Sequence, residues 1–379
     1  MVSRRTLLVG GGAALVLAGG GWTFTRTPWL ALKPWSEATE GFGDPLLDAL
    51  AYALLAPNPH NMQPWVIDRR GPLSFQLQAR RDRLLPETDP PSRQITIGLG
   101  SFLEVFRQAA SAMGYRASIT PLAGFDDMSA AGPVPIADVA LREDPSVSAD
   151  PLFSFVLDRR TARTPFEQGR RVPNEDLQAI ADAAVPGAEI GFSDDQGQVD
   201  ELRQLTVSAW DIEWATPPTR HESIVVTRVG KDEINQDPWG LAIPGAFPEA
   251  MKIAGVLTRD GMDDPQSVAY KQTRDFYAVA CSSAADFIWA VTKTNTRFDQ
   301  LTMGASWVRM HLMATKLGVS FHPLSQALQE FPEMEGHYQR VHGLLAPQGG
   351  TVQMLSRLGY TRSPPRSPRE PLMAKLIEG

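Results

Sequence analysis

Two long helical stretches, each closed by a glycine, constrain this chain more than any other feature of its sequence. The first runs from about Ile95 to Met113 and stops at Gly114; the second runs from Gln300 to Leu317 and stops at Gly318. A glycine just past the last helical residue readily takes the left-handed cap that other residues resist. Superimposing the two glycines, an offset of 204 residues, sets Ile97 against Leu301, Gly100 against Gly304, Ala110 against Ala314 and Met113 against Leu317. Each helix is followed by an apolar strand-like stretch, Tyr115–Ile119 and Val319–Phe321. Two amphipathic helices can share such matches by chance. Taken as an internal repeat, they divide the chain into two related halves, about 40–150 and 151–379.

The remaining pattern is mixed. Leu46–Leu55 reads as a helix stopped by Pro57, and Trp65–Asp68 and Leu73–Leu77 as two strands joined at Gly71-Pro72. Residues 25–45, punctuated by Pro, Trp and Gly, read as a linker, and Pro86–Ser92 as a turn-rich loop. Glu201–Trp214 has helical character. Residues 217–270 read as a loop-rich insertion that could act as a lid, with Trp239 and Phe247 in it. The Pro/Arg/Ser-rich tail Thr361–Pro371 reads as extended on the surface.

Charge separates the N-terminus from the body. The formal charge is −7, which argues against nucleic acid as a partner. The first 33 residues hold Arg4, Arg5, Arg26 and Lys33 and no acid, so they carry +4 and the rest −11. Ser3-Arg4-Arg5-Thr6-Leu7-Leu8 leads into an apolar run ending near Phe24, the layout of an export signal. It resembles the twin-arginine signal, which engages a machinery that exports folded proteins. No cleavage site is obvious, and as a helix Thr6–Phe24 would rise roughly 28 Å, enough to cross a bilayer. The expected location is the periplasm, free or membrane-anchored. The single cysteine, Cys281, excludes a disulfide framework and any cysteine-based metal centre, and no metal site is expected.

Standard catalytic patterns are missing: no P-loop, no G-x-S-x-G and no intact G-x-G-x-x-G after a strand. Two segments remain. Ala56-Pro57-Asn58-Pro59-His60-Asn61-Met62-Gln63-Pro64-Trp65 puts amides and an imidazole between a helix end and a strand start, clamped by prolines. Such a loop can offer fixed donors and acceptors to a planar heterocycle; it can equally be a plain connection rich in turn residues. Arg159-Arg160-Thr161-Ala162-Arg163 can form a phosphate cradle, or a solvated basic face, the commoner fate of a charge run.

Together these segments resemble the FMN-binding nitroreductase superfamily. In that family an R-R-S-x-R-like segment grips the flavin phosphate and an A-P-S-x-x-N-x-Q-P-W segment touches the ring. Gly304-Ala305-Ser306, Leu317-Gly318 and His322-Pro323-Leu324-Ser325 look like the family's helix and loop beside the reactive flavin nitrogen, and Met354–Tyr360 like its late phosphate-contacting segment. The order of motifs and the chain length are similar to the long Acg-like branch, a pseudo-dimer in one chain. The resemblance implies an α+β, three-layer α/β/α nitroreductase-like fold, with two fused halves around one FMN.

It further implies that Arg159, Arg160, Thr161, Arg163 and Arg357 hold the phosphate and that Asn58, His60, Asn61 and Gln63 meet the ring. Pro323, Leu324 and Ser325 would present a backbone N–H to the flavin, and no side chain would need to be catalytic. The activity implied is reduction of nitro compounds, quinones or a related small acceptor, with a small-molecule electron donor. The chain would act as a monomeric pseudo-dimer or a dimer. The alternative is an exported flavin-binding or flavin-storing protein with little turnover. Asn58-Pro59, where the family often has two serines, departs from its pattern.

Overall fold

The computed structural model describes residues 25–127, 131–193 and 195–378. The arginine pair and the apolar run to Phe24 lie outside the described residues. Eleven strands are described: β1 Trp65–Gly71, β2 Ser74–Ala79, β3 Tyr115–Pro121, β4 Val134–Glu143, β5 Glu189–Phe192, β6 Thr227–Val229, β7 Leu241–Ile243, β8 Asp286–Thr292, β9 Ser320–Pro323, β10 Thr351–Gly359 and β11 Leu376–Glu378. With the helices between them they make a mixed α+β fold.

Two sheets carry the architecture. The first has the order β11-β1-β2-β4-β3 and the second β5-β8-β10-β9. Setting β11 aside, the two are wired alike. In each, two antiparallel neighbours precede a 20-residue helix, Arg93–Ala112 or Arg297–Lys316; an edge strand follows, and the last strand then inserts between it and the earlier pair. The helix Pro45–Ala53 packs on the first long helix as Asn174–Asp182 packs on the second. The chain end then returns to the first sheet, where β11 pairs parallel to β1 with Ile67 opposite Leu376.

The two long helices cross backbone to backbone. A Cβ on Gly100 would stand 2.1 Å from the Leu301 carbonyl oxygen, and a Cβ on Gly304 would stand 2.1 Å from that of Ile97. Each glycine therefore meets the residue three positions before the other glycine. That reciprocal pattern is the signature of a two-fold contact, and Ser101 Oγ adds a bond to the Gly304 carbonyl at 2.9 Å. Around this crossing, Leu99, Phe102 and Phe106 pack against Phe75, Leu77 and Val139 of the first sheet. Strand β8 is buried along its whole length. Ile288 and Ala290 face the helices 297–316 and 174–182, while Phe287, Trp289 and Val291 face Gln196–Ala215 and Glu335–Leu345. A strand covered on both faces reads as a continuous apolar run.

Three expectations need correction. Residues 25–45 are not a linker, because Trp29–Glu40 is a helix despite Pro34 inside it. Its inner face, Ala31, Trp35 and Ala38, is buried, and Trp35 Nε1 donates to the Ser367 carbonyl at 2.8 Å. The 217–270 insertion is not loop-rich. It contains the helices Pro217–Val225, Gly230–Gln236, Ala246–Ile253 and Arg259–Asp263 and a parallel β6–β7 pair. The tail is extended but does not stay on the surface, since Pro368 and Arg369 are buried.

Candidate functional site

The first wall of the site is set by how one helix ends. The carbonyls of Leu54, Leu55 and Ala56, which follow the helix Pro45–Ala53, need donors. Arg369 supplies them, with Nε on Leu54 at 2.8 Å and Nη2 on Leu55 and Ala56 at 3.2 Å, and Arg159 Nη2 adds a bond to Leu55 at 3.0 Å. From this fixed point the chain enters a strained turn. His60, Asn61 and Gln63 all have positive φ, at 45°, 55° and 50°. Non-glycine residues hold such angles only where their surroundings over-determine them, and these cluster at functional sites.

The restraints on this turn are plain. Asn58 Oδ1 accepts from the Gln63 N–H at 2.8 Å, Gln63 Nε2 donates to Pro238 at 2.9 Å, and Gln63 Oε1 accepts from the Glu370 N–H at 2.9 Å. Asn61 Nδ2 donates to Pro368 at 3.2 Å, and its Oδ1 accepts from Arg369. The structure therefore gives the amides of Asn61 and Gln63 to the returning tail and the insertion, not to a ligand edge. They shape the turn from behind. Asn58 also serves it, donating to Ala56 at 3.3 Å. His60 is different: Nε2 reaches only Ser223 Oγ at 3.5 Å, and the buried Nδ1 has no partner. Burial, and then the nearby Arg163, lower its pKa to about 4, so the ring is neutral.

The second wall comes from the arginine segment, laid beside β9 through a parallel bridge between Thr161 and Phe321. Arg159 is 5% exposed, and its Nη1 is buried without a partner. Burial, reinforced by Arg160, pulls its pKa down to about 9. Arg163 makes no hydrogen bond or ion pair among the described residues. It is solvent-accessible yet enclosed by protein, and that enclosure lowers its pKa; its charge acts on His60, His322 and Tyr277. The Thr161 hydroxyl is likewise unbonded among the described residues. Arg160 turns away, donating to the Leu157 and Arg159 carbonyls and lying 4.6 Å over the Trp35 ring. Among the described residues no carboxylate faces Arg159, Arg163 or Arg369. For the buried Arg159 and Arg369, charge of one sign without a counter-ion is costly unless a ligand supplies one.

Arg357, the other expected phosphate ligand, is fully buried and fully used. Nε donates to His322 Nδ1 at 2.9 Å, Nη1 to Ala280 and Ser283, and Nη2 to the carbonyls of Ala162 at 3.1 Å and Thr164 at 2.9 Å. All five of its N–H groups are committed. It holds the arginine segment in place and has none left for a phosphate. Beside it, Pro323 pairs with Ser356. The Leu324 N–H is taken by Leu355 at 2.8 Å, while the Ser325 N–H has no acceptor among the described residues. Of that loop, Ser325 carries the available donor.

Four further residues complete the floor. His322 Nδ1 accepts from Arg357, so its proton is on Nε2, which faces Tyr277 Oη at 3.5 Å. Gln326 Nε2 also donates to Tyr277 Oη, at 3.3 Å. Two donors on one phenol oxygen leave the Tyr277 proton free to be donated, next to Arg163. Behind lies Glu213, 2% exposed, whose Oε2 is unpartnered, as are Oε1 of Gln326 and of Gln329. Burial raises its pKa to about 7, against the opposing influence of the Gln329 and Gln326 amides. A proton on Glu213 would give one of those orphaned amide oxygens its donor. His322 lay inside a recognised motif. Tyr277 and Glu213 lay in no motif, and Arg369 was hidden in a tail that read as surface.

The raised pKa has a measurable consequence. The native state binds the Glu213 proton more tightly than the unfolded chain, so stability falls as pH rises from about 4.5 to about 7 and then levels. The cost is of order 3 kcal/mol at most. Glu213→Gln is expected to raise the melting temperature at pH 8 and to leave it unchanged at pH 4.5. Parallel wild-type and variant pH–Tm curves would exclude this assignment.

The folded chain thus leaves the guanidinium groups of Arg159 and Arg163, the Thr161 hydroxyl and the Ser325 N–H with donors to spare, a set chemically suited to an anion. No family model matches the chain. Two Mycobacterium tuberculosis proteins, from strains CDC 1551 and H37Rv, whose names mark them as prospective NAD(P)H nitroreductases, are 24% identical to it over 323 residues, covering 82% of this chain and 83% of theirs. Among solved structures, a Bacteroides fragilis nitroreductase with bound FMN overlaps 56% of this chain and 89% of its own at 13% identity and TM-score 0.33. The FMN-dependent nitroreductase of Mycobacterium smegmatis in complex with NADPH overlaps 58% and 94% at 16% identity and TM-score 0.35.

Proposed function

We propose that this protein is an FMN-dependent oxidoreductase of the nitroreductase type, built from two related halves around one flavin and similar to the long Acg-like branch. The observation that carries the reading is the pair Arg159 and Arg163. One has a buried, unpartnered guanidinium nitrogen, and among the described residues the other has no partner and no carboxylate faces either. A phosphate monoester is the chemistry that fits such a pair. The names of the mycobacterial relatives point the same way. The matched wiring of the two sheets and the reciprocal glycine crossing support the two-halves reading.

Arg159, Arg163 and the Thr161 hydroxyl would hold the phosphate, with Arg357 keeping their segment in register. When bound, FMN supplies a redox centre that accepts electrons from a reduced donor and passes them to an acceptor such as a nitro compound or quinone. His60 would stay neutral and add no charge to the ring wall. Tyr277 holds a proton at its phenol oxygen, positioned by His322 and Gln326, for donation into the cleft. The Ser325 N–H offers a second donor. We further propose export by the twin-arginine route, with the body on the periplasmic side.

The visible spectrum of the purified protein tests the cofactor, and anaerobic mixing tests the reaction. A yellow protein that NADH or NADPH bleaches is the expected result. Bleaching by dithionite but by neither nicotinamide would select the flavin-holding alternative. A colourless protein that takes up no FMN would exclude both.

A further inference from the structure

The helix Ala246–Ile253 is inside out. Its one buried side chain is an acid, Glu249, which pairs with Arg26 at 2.8 Å and accepts from the Lys231 N–H at 3.3 Å. Its outward side carries Phe247, 75% exposed, Ala250, and Ile253, 71% exposed, and Val256 just beyond it is also exposed. A globular surface helix shows the reverse arrangement, polar side out. Apolar exposure of this kind marks a contact.

The same helix is where the N-terminal segment arrives. Arg26 is bonded to Glu249, and Arg26, Thr27 and Pro28 line a small cavity with Pro244 and Gly245. The next residues, Trp29 and Leu30, are exposed as well, at 57% and 70%. Immediately before them, the sequence from Thr6 to Phe24 contains no charged residue, and Arg4, Arg5, Arg26 and Lys33 flank it. An apolar chain leaves the body beside an apolar surface.

We infer that Phe247, Ile253, Trp29 and Leu30 form a membrane-contact surface that seats the body on an anionic lipid bilayer beside its N-terminal segment. Three covers can be compared. Residues 6–24 folded back on the helix would hide one side of themselves and expose the other, because they have no polar side to turn to water. A second copy would cover the helix but leave that segment unaccounted for. A bilayer covers both together; Arg26 and Lys33 are paired with Glu249 and Glu37, so Arg4 and Arg5 are the basic residues left for the headgroups. Aromatic Trp29 suits the interfacial zone. This inference does not depend on the flavin reading.

Cys281 is fully buried, so the full-length chain with Ile253→Cys can be labelled selectively with a polarity-sensitive NBD dye. Vesicles of phosphatidylethanolamine and phosphatidylglycerol are then added, with Glu175→Cys, exposed on the helix 174–182, as the control. The expected result is flotation with the vesicles, a several-fold emission rise with a blue shift at position 253, and quenching by nitroxide lipids, with position 175 unchanged. Phe247→Asp with Ile253→Asp is expected to weaken vesicle partitioning about tenfold. Failure to float, or flotation with an unchanged label at 253, would overturn the assignment. So would an apolar signal without vesicles: if it survives dilution, the N-terminal segment is the cover, and if it fades, a second copy is.

Discussion

Replacing Arg163 by glutamine is expected to weaken FMN binding by about 10- to 100-fold while leaving the melting temperature unchanged or raising it. The two halves of this outcome come from one fact: Arg163 makes no hydrogen bond or ion pair among the described residues, and its charge holds the pKa values of His60 and His322 down. Losing a charge-assisted bond to a phosphate costs about 1.5–3 kcal/mol. Losing an exposed cation with no partner among the described residues removes no hydrogen bond or ion pair from the apo fold. Arg357 should behave in the opposite way, because its truncation leaves five backbone and side-chain acceptors unserved inside the core. Fluorescence titration with FMN beside thermal melts of the flavin-free proteins reads both quantities. Arg163→Gln with unaltered FMN affinity would remove Arg163 from the site.

Gly304→Ala is expected to destabilise the whole protein by about 2–3 kcal/mol, although alanine is the better helix former by about 1 kcal/mol. The added methyl would meet the Ile97 carbonyl oxygen at 2.1 Å and the Gly100 Cα at 2.7 Å, both backbone atoms that no rotamer change can move. The long helices must part, and both sheets ride on them. Gly336, also inside a helix but with nothing within 4 Å of where a methyl would stand, is the control, and Gly336→Ala should be neutral or stabilising. Urea midpoints decide it: if Gly304→Ala melts no earlier than Gly336→Ala, the crossing is looser than described.

Much of the scaffold was legible. Both long helices appear within a few residues of their expected ends, because a long run free of proline and closed by Gly114 or Gly318 is a local signal. The pairing of Gly100 with Gly304 was visible as a register before it was visible as a contact. The helix Trp29–Glu40 was missed because Pro34 reads as a breaker. Burial of Trp35, with guanidinium groups of Arg160, Arg366 and Arg369 around its ring, outweighs that local preference.

The site divides along the same line. The resemblance of the motifs to a known family nominated Arg159, Arg163, His60 and Ser325, whose donors or ring nitrogens remain available in the folded chain. The same reasoning nominated Asn61, Gln63 and Arg357, chemically as suitable, whose polar atoms belong to Pro368, Arg369, Pro238, Glu370, Ala162 and Thr164. Sequence alone determined the helical frame and the stock of cations. Which cations stay unpaired was decided only by the tertiary structure. The hydrogen bond that the Glu370 N–H donates to Gln63 Oε1 spans 307 residues of chain, and no local pattern records which distant group will occupy a side chain's polar atom.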